Sequence, residues 1–561
     1  SGLTDALNDM DTDLKTADKG DQTLMGEIRN ELVKRDEAIN NPNIHPAAQF
    51  LTSLGFVWNI GPSIASGIVN MTQTPLVTGP YLAARYGAGK ARQAIIKASA
   101  DYARKSKFDK DHGFTLQDSK DITADEKKMF QELVDQGVID VTQAHDLAAA
   151  AGTDYLNMSG SKRMVNYARA MKIISWPFHV TELANRQVSS LAAYRLAREA
   201  GKDHAAAVEV AGKAVMDTHF DYSQENRARH MQGNVARVIL LFKQYSQNMT
   251  FLLGRSLHQA LKGENEEVKR IARAQLYGIV GGHFLVSGAL GMPFIGVAGG
   301  ALNMLAAAFG DDDEPWEWDV ELRNYLADTV GKDIGEAVSH GPLRLVMPFD
   351  VAGRLSLSDL WYRKPSRELE GRAAFQQQLQ NILGPTASNA GMWYSGATAI
   401  ADGEVLRGLE MMMPKAVKDV LKTGRYADEG VRNWKDDVLI EELTALELAG
   451  QIIGFTPRRV SEMYESKNAI LNTKTKIETR RSKLLNKMVQ ARIDRDSAEV
   501  ASVQRDINDF NRANPDFELT WESVYRSMQN RKRIRENTKG GTYLPETKAG
   551  MRDYGRFANM D

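Results

Sequence analysis

Several short groupings in this 561-residue chain carry residue types that could do chemistry. Tyr86-Gly87-Ala88-Gly89-Lys90 approaches a phosphate loop, in which backbone amides and a lysine cradle phosphate. Ala84 occupies its first glycine position, Ala91 replaces the Ser or Thr that would hold magnesium, and no strand precedes it. Asp109-Lys110-Asp111-His112-Gly113 approaches a calcium loop, but the glycine comes one position early and Lys120 stands where a bidentate acid is needed. His179 and Glu182 form HxxE without the second histidine of a zinc protease helix. No GxSxG nucleophile elbow occurs, and the absence of cysteine excludes thiol catalysis, disulfides and Cys-ligated metals.

Two denser groupings remain. Thr181, Glu182, Asn185 and Arg186 share one helical face, with Glu182 and Arg186 at ion-pair spacing; a fixed pair that orients helices is expected. His219-Phe220-Asp221-Tyr222-Ser223 with Asn226 and Arg227 reads as a structural turn. No catalytic residue, metal ligand or cofactor site is therefore assigned, and a non-enzymatic protein is expected.

The elements around these groupings are helical, and one stretch dominates them. Residues 276–310 contain no Asp, Glu, Lys or Arg, in a chain that is 25% charged. As one helix the stretch would measure roughly 50 Å, beyond the ~30 Å hydrocarbon core of a bilayer. The break at Gly291-Met292-Pro293 predicts two half-helices, 276–290 and 294–309. Gly278/Gly282 and Gly296/Gly300 form GxxxG pairs that permit close helix approach. Asp311, Asp312, Asp313 and Glu314 end the run, and Trp316 and Trp318 follow, an arrangement suited to a bilayer interface. The candidate membrane or helix-packing residues are thus Gly278, Gly282, Pro293, Gly296, Gly300, Trp316 and Trp318. A hairpin buried in the core of the protein or of an oligomer fits the same residues.

The remaining chain divides by composition. Residues 1–155 form an N-terminal helical region; inside it Pro46, Pro62, Pro75 and Pro80 joint an uncharged stretch from Ala38 to Ala84 into short buried helices. Thr123 and Glu126 form a capping box, Gly137 ends that helix, and a further helix is expected between Thr142 and Gly152. Residues 156–310 are long amphipathic helices leading into the apolar hairpin, and 311–455 are mixed helices and turns. Residues 456–561 form a charged arm and extended tail. In that arm Met463, Ile470, Ile477, Leu484 and Ala491 repeat at sevens without a second apolar seam, and a helix from Asp496 is expected to fold back on the first. Arg526, Arg531, Lys532, Arg533 and Arg535 read as a solvated helix face, with non-specific phosphate contact to genomic DNA as the alternative.

The net charge of −1 gives no global attraction to nucleic acid. A mean hydropathy of −0.39 argues against a conventional polytopic membrane protein. No basic-then-apolar leader follows Ser1-Gly2, and the chain reads as a piece of something longer. The expected fold class is all-α: an elongated multi-helix assembly with a central Gly-rich hairpin and a C-terminal helical arm.

Four phrases occur in order: SLGFVWNIGPSIASGIVNMTQTPLVTGPYLAARYG; FDYSQENRARH with ARVILLFKQYSQNM; ILGPTASN with ADGEVLRGLE; and AGQIIGFTPRRVSEMYE. Together they resemble the C-terminal region of very large tailed-phage virion proteins, the PLxRFG-type or large polyvalent proteins, over roughly residues 45–535. Gly341-Pro342-Leu343-Arg344-Leu345 is a partial echo of the name-giving motif. The resemblance implies a protein stored in the capsid interior and ejected with the genome into the host envelope. Its implied partners are other copies of itself, other internal virion or portal proteins, host membrane and genomic DNA. It supplies no catalytic residues for this region. Two further readings are a capsid-docking module that tethers an upstream enzyme such as a virion RNA polymerase, and a peptidoglycan hydrolase.

Overall fold

The computed structural model describes residues 7, 10–13, 15, 19–40, 45–109, 113–117, 119–139, 162–222, 228–309, 317–358, 360, 388–433, 437–539 and 542–543. The fold is all-α. Three two-stranded antiparallel pairs are the only sheets among the described residues. The chain forms two compact units: Ser1–Val297 with Tyr325–Lys364 and Leu369–Glu462, and Ala298–Asn324 with Pro365–Glu368 and Met463–Asp561.

In the first unit, α1 (Lys19–Asn40) precedes the proline-jointed stretch. There α2 (Pro46–Asn59) begins on Pro46, α3 (Ile64–Met71) is capped by Ser63, and a π turn at Thr74–Thr78 contains Pro75. Helix α4 (Gly79–Tyr86) carries Pro80 in its first turn. Proline has no N–H to donate, so each stands where a helix leaves donors unused. Gly87, at φ +88°, turns the chain into α5 (Ala88–Lys105). The near-phosphate loop is therefore a helix joint, and its Lys90 pairs with Glu199 at 2.7 Å. Asp109 and Gly113, the ends of the near-calcium grouping, pair in the hairpin of β1 (Lys107–Asp109) and β2 (Gly113–Thr115); residues 110–112 lie outside the described residues.

Helix α6 (Ala124–Asp135) starts on the expected capping box, and Gly137 follows its end at φ +70°. The helix expected between Thr142 and Gly152 lies outside the described residues. Helix α7 (Lys162–Glu199) is the axis of this unit and packs against α8 (His204–His219), α5 and α3. Met129, Phe130, Leu133, Leu183, Leu191 and Val215 form the centre of the core, each 2% exposed or less. Next come α9 (Asn234–Ile239), α10 (Lys243–Lys262) and α11 (Glu266–Ser287).

Helix α11 corrects two expected boundaries. It begins ten residues before the uncharged stretch, because Asn265 caps it by accepting from the Val268 amide at 2.9 Å. It ends at Gly288, ahead of the expected end at residue 290. Gly288 sits at φ +65°, and a Cβ there would lie 2.4 Å from the Ser339 and Gly341 backbone, so only glycine closes the helix here. A 3-10 turn at Ala289–Gly291 and α12 (Ile295–Phe309) complete the stretch. Helix α11 packs against α10 and α4. No helix of the described residues is long and apolar enough to cross a membrane.

Two further helices, α13 (Trp318–Val330) and α14 (Lys332–His340), follow. Still in the first unit, α15 (Val405–Met412), α16 (Lys415–Glu429), the pair β3 (Val431–Arg432) and β4 (Val438–Ile440), and α17 (Ala445–Ile453) lie in sequence. In the second unit the C-terminal arm is built from α18 (Arg458–Asp494, which enters this unit at Met463), α19 (Ser497–Ala513) and α20 (Trp521–Glu536), with a last strand pair at Thr538–Lys539 and Thr542–Tyr543. Leu484, Met488 and Val489 pack with Val503, Ile507 and Phe510, so α19 does fold back on α18. The sevens hold only in part: Leu484 and Ala491 are buried, whereas Ile470 is 68% exposed.

Candidate functional site

The polar face of α7 is buried. Arg186 is fully buried; its Nη1 donates to the Val138 carbonyl at 3.0 Å and its Nη2 to the Phe220 carbonyl at 2.7 Å. Glu182 Oε1 lies 3.4 Å from Nη2. The expected ion pair thus also ties α7 to the chain after α6 and the chain after α8, because a buried guanidinium must find acceptors wherever they lie.

Three residues beyond Arg186, Ser189 Oγ lies 2.7 Å from His219 Nε2, a spacing seen between nucleophile and base. The hydrogen bonds run the wrong way for that chemistry. Thr218 donates to the Ala214 carbonyl, which leaves Thr78 to donate to Thr218. Ser189 then donates to Thr78 at 3.2 Å and accepts from His219 Nε2–H. His219 Nδ1 is buried without a partner, so no carboxylate orients the ring, and burial, reinforced by Arg186, pushes the imidazole well below its usual range toward the neutral form. With Ser189 at 0% and His219 at 2% exposure, the relay is a sealed structural one. The turn expected at 219–227 begins here with Phe220 at φ +62°; residues 223–227 lie outside the described residues.

Beside this seam the first unit holds a cavity of about 320 Å³. Phe178, Tyr222, Phe242 and Tyr245 line it together with Leu76 and Val77. Glu182, His283, Asn70 and Arg354 are its notable polar edges. His283 Nδ1 lies 2.8 Å from the Ile279 carbonyl, and burial holds the ring below its ordinary pKa, so it is neutral with Nε2 as the acceptor. Burial likewise raises the phenols, Tyr222 well above its usual range and Tyr245 up to about 12. Of these residues the sequence marks Tyr222, within the grouping read as a turn; for His283 the one available signal is a histidine inside the uncharged stretch.

The residues expected to pack helices are distributed differently. A Cβ at Gly278 would lie 2.8 Å from Pro80, and one at Gly282 would lie 3.2 Å from Leu76. This pair makes its close approach inside the chain. Gly296 lies in α12, and a Cβ at Gly300 would meet nothing within 4 Å. The tight position is their neighbour Gly299 in the second unit, where an added Cβ would fall 1.7 Å from Trp318 Nε1. Trp318 thus covers a helix, and its backbone N–H donates to Asn303 Oδ1 at 3.0 Å. Pro293 lies in the turn before α12, and Trp316 is outside the described residues. A second close crossing, not anticipated from spacing, joins Gly396 and Gly408: a Cβ on Gly408 would lie 2.5 Å from the Gly396 carbonyl.

Helices α15 and α16 are inside out. Glu410, Asp419 and Thr423 are buried, and Arg425 clasps Glu410 at 3.0 Å while Lys415 holds Asp419 at 2.7 Å. Outward stand Val405 (50%), Leu406 (70%), Val420 (53%) and Leu421 (42%), with Gly424 open beside the last two. In the second unit, α20 presents its basic run to solvent. There Arg526 pairs with Glu522, Arg531 donates to Asn486, Lys532 lies 3.8 Å from Glu536 and Arg533 donates to Asn530 at 2.9 Å. Arg535 is exposed and makes no such contact among the described residues.

Comparison with protein-family models, with curated proteins and with solved structures finds no match to this chain.

Proposed function

We propose that this chain is a structural, self-associating protein whose copies meet through the outward apolar face of α15 and α16. The observation that carries this reading is the inverted pattern of those helices, which bury ion pairs and present Val405, Leu406, Val420 and Leu421 to water. Large apolar side chains exposed together on neighbouring helices are what an interaction surface presents. The net charge of −1 leaves little long-range repulsion between copies. Gly424, open among these side chains, would let a second helix come close.

The resemblance to large tailed-phage virion proteins supplies the setting: storage in a capsid, ejection with the genome, and assembly into a passage for it. In this reading the glycine stretch at 276–310 serves mainly the protein's own packing, since Gly278 and Gly282 are occupied by Pro80 and Leu76. Contact with the host envelope would then be made by assembled copies.

Sedimentation equilibrium tests the proposal. The wild-type chain is expected above its 62.3 kDa monomer mass at micromolar concentration, and Val420→Glu with Leu421→Glu is expected to return it to monomer with unchanged helicity. A monomeric wild type, or an assembly indifferent to both glutamates, removes the proposal. Liposome flotation of the same pair adds a second decision: wild-type binding that the glutamates abolish, with no assembly in solution, would assign the face to a bilayer instead of a second copy.

A further inference from the structure

The cavity of the first unit is lined by polar groups that the fold leaves unused. Tyr222 is 5% exposed, and its hydroxyl makes no hydrogen bond among the described residues. His283 is 3% exposed; its Nδ1 is engaged by Ile279, and its Nε2 makes no such contact. The Tyr222 hydroxyl and His283 Nε2 therefore stand at one cavity with hydrogen-bonding capacity that no described residue takes up.

The walls narrow the occupant. Phe178, Tyr222, Phe242 and Tyr245 supply four aromatic rings, which favour a planar aromatic body. A volume of about 320 Å³ sits at the small end of ligand pockets. The ionic groups are already engaged: Glu182 is beside Arg186 at 3.4 Å, and Arg354 donates to the Gly454 carbonyl and lies over the Phe455 ring. A charged ligand would lose its hydration with no free counter-charge to receive it.

We infer that this cavity is a binding site for a small uncharged aromatic molecule bearing a hydroxyl or similar donor–acceptor group. The rings hold its plane, and the Tyr222 hydroxyl and His283 Nε2 offer hydrogen bonds to its polar edge. The inference does not rest on the self-association reading, since the α15–α16 face contributes no residue to the cavity lining.

Three probes of one shape test it by calorimetric titration of the full chain: 2-naphthol, naphthalene and 2-naphthoate. 2-Naphthol is expected to bind at one site per chain, about fivefold or more tighter than naphthalene, the factor equivalent to one net hydrogen bond of ~1 kcal/mol. 2-Naphthoate is expected to bind more weakly than 2-naphthol. Val69→Trp, which places an indole in the cavity wall, is expected to abolish binding of all three. Should that variant fail to fold, Tyr222→Phe and His283→Leu decide: at least one must erase most of the advantage of 2-naphthol while naphthalene still binds. Equal affinity for the three probes, several weak sites per chain, or a 2-naphthol advantage that survives both substitutions would overturn the assignment. Binding that persists in the Val420→Glu, Leu421→Glu variant is expected, and its loss there would place the probes on the exposed apolar face and overturn it too.

Discussion

The first unit buries polar side chains along α7 and turns apolar ones outward on α15 and α16, whereas the second unit does the reverse along α18, α19 and α20. Arg186 and Glu182 are sealed in the former; Val503, Ile507 and Phe510 are sealed in the latter, with charged residues outside. The contrast teaches that pattern alone predicts burial only where a helix has one apolar face and one neighbour. Where several helices converge, as α3, α5 and α8 do on α7, polar groups can be buried if they satisfy one another.

The most severe way to break this contrast is to remove its polar centre. Arg186→Met is expected to destabilise the first unit by ~3–5 kcal/mol, because Glu182 and the Val138 and Phe220 carbonyls lose their donor. Urea unfolding followed by circular dichroism would read this as an early transition. Adding Glu182→Leu should recover part of the loss. A single Arg186→Met variant as stable as the wild type would show that the seam is not what holds α7.

Within the second unit, adjacent glycines sharpen the comparison. Gly299→Ala is expected to cost about 1–3 kcal/mol by overpacking against Trp318. Gly300→Ala meets nothing within 4 Å and is expected to stabilise α12 by up to about 1 kcal/mol. Tryptophan fluorescence during denaturation measures both, and the opposite order would refute the packing described for Trp318.

A milder test uses acid. Glu447 accepts from Arg459 at 2.7 and 2.8 Å and from the Thr444 amide at 2.8 Å, and these bonds hold its carboxyl down at about 2, below the ordinary 4.5. A depressed carboxyl pKa stabilises the fold fully above about pH 4.5, and the contribution fades as the pH falls toward 2. The Arg459 side chain is 47% exposed, so solvent screening reduces the effect to about 1–2 kcal/mol. Glu447→Gln should therefore lower the wild-type stability at pH 7 and flatten its decline between pH 4.5 and 2. A parallel decline in both proteins would contradict the assignment.

The smallest effect on stability belongs to α20. Arg533→Gln with Arg535→Gln should change unfolding by less than ~0.5 kcal/mol, since both side chains are exposed. If this face contacts phosphate, the same pair should reduce the salt dependence of non-specific DNA retention by about two counterions. An unchanged slope would leave α20 as a solvated face.

Much of the architecture was legible in the order of residues, for local reasons. The Thr123–Glu126 box, the helix stop at Gly137, the proline joints between residues 46 and 80, and the return of α19 onto α18 all follow from capping, missing N–H donors and short-range apolar spacing. Tertiary packing decided the rest. Gly291-Met292-Pro293 predicted a break that Gly288 makes instead, because the backbone of residues 339–341 presses on Gly288 from a segment some fifty residues away. The GxxxG spacing marked Gly278 and Gly282 as close-approach positions, yet only the fold could choose Pro80 and Leu76 of the same chain as their neighbours. The cavity had no signature at all: Asn70, Tyr222 and His283 come together across more than two hundred residues. Spacing along a chain encodes which face of a helix is apolar, but which surfaces meet is settled by packing between segments whose separation in sequence carries no periodic signal.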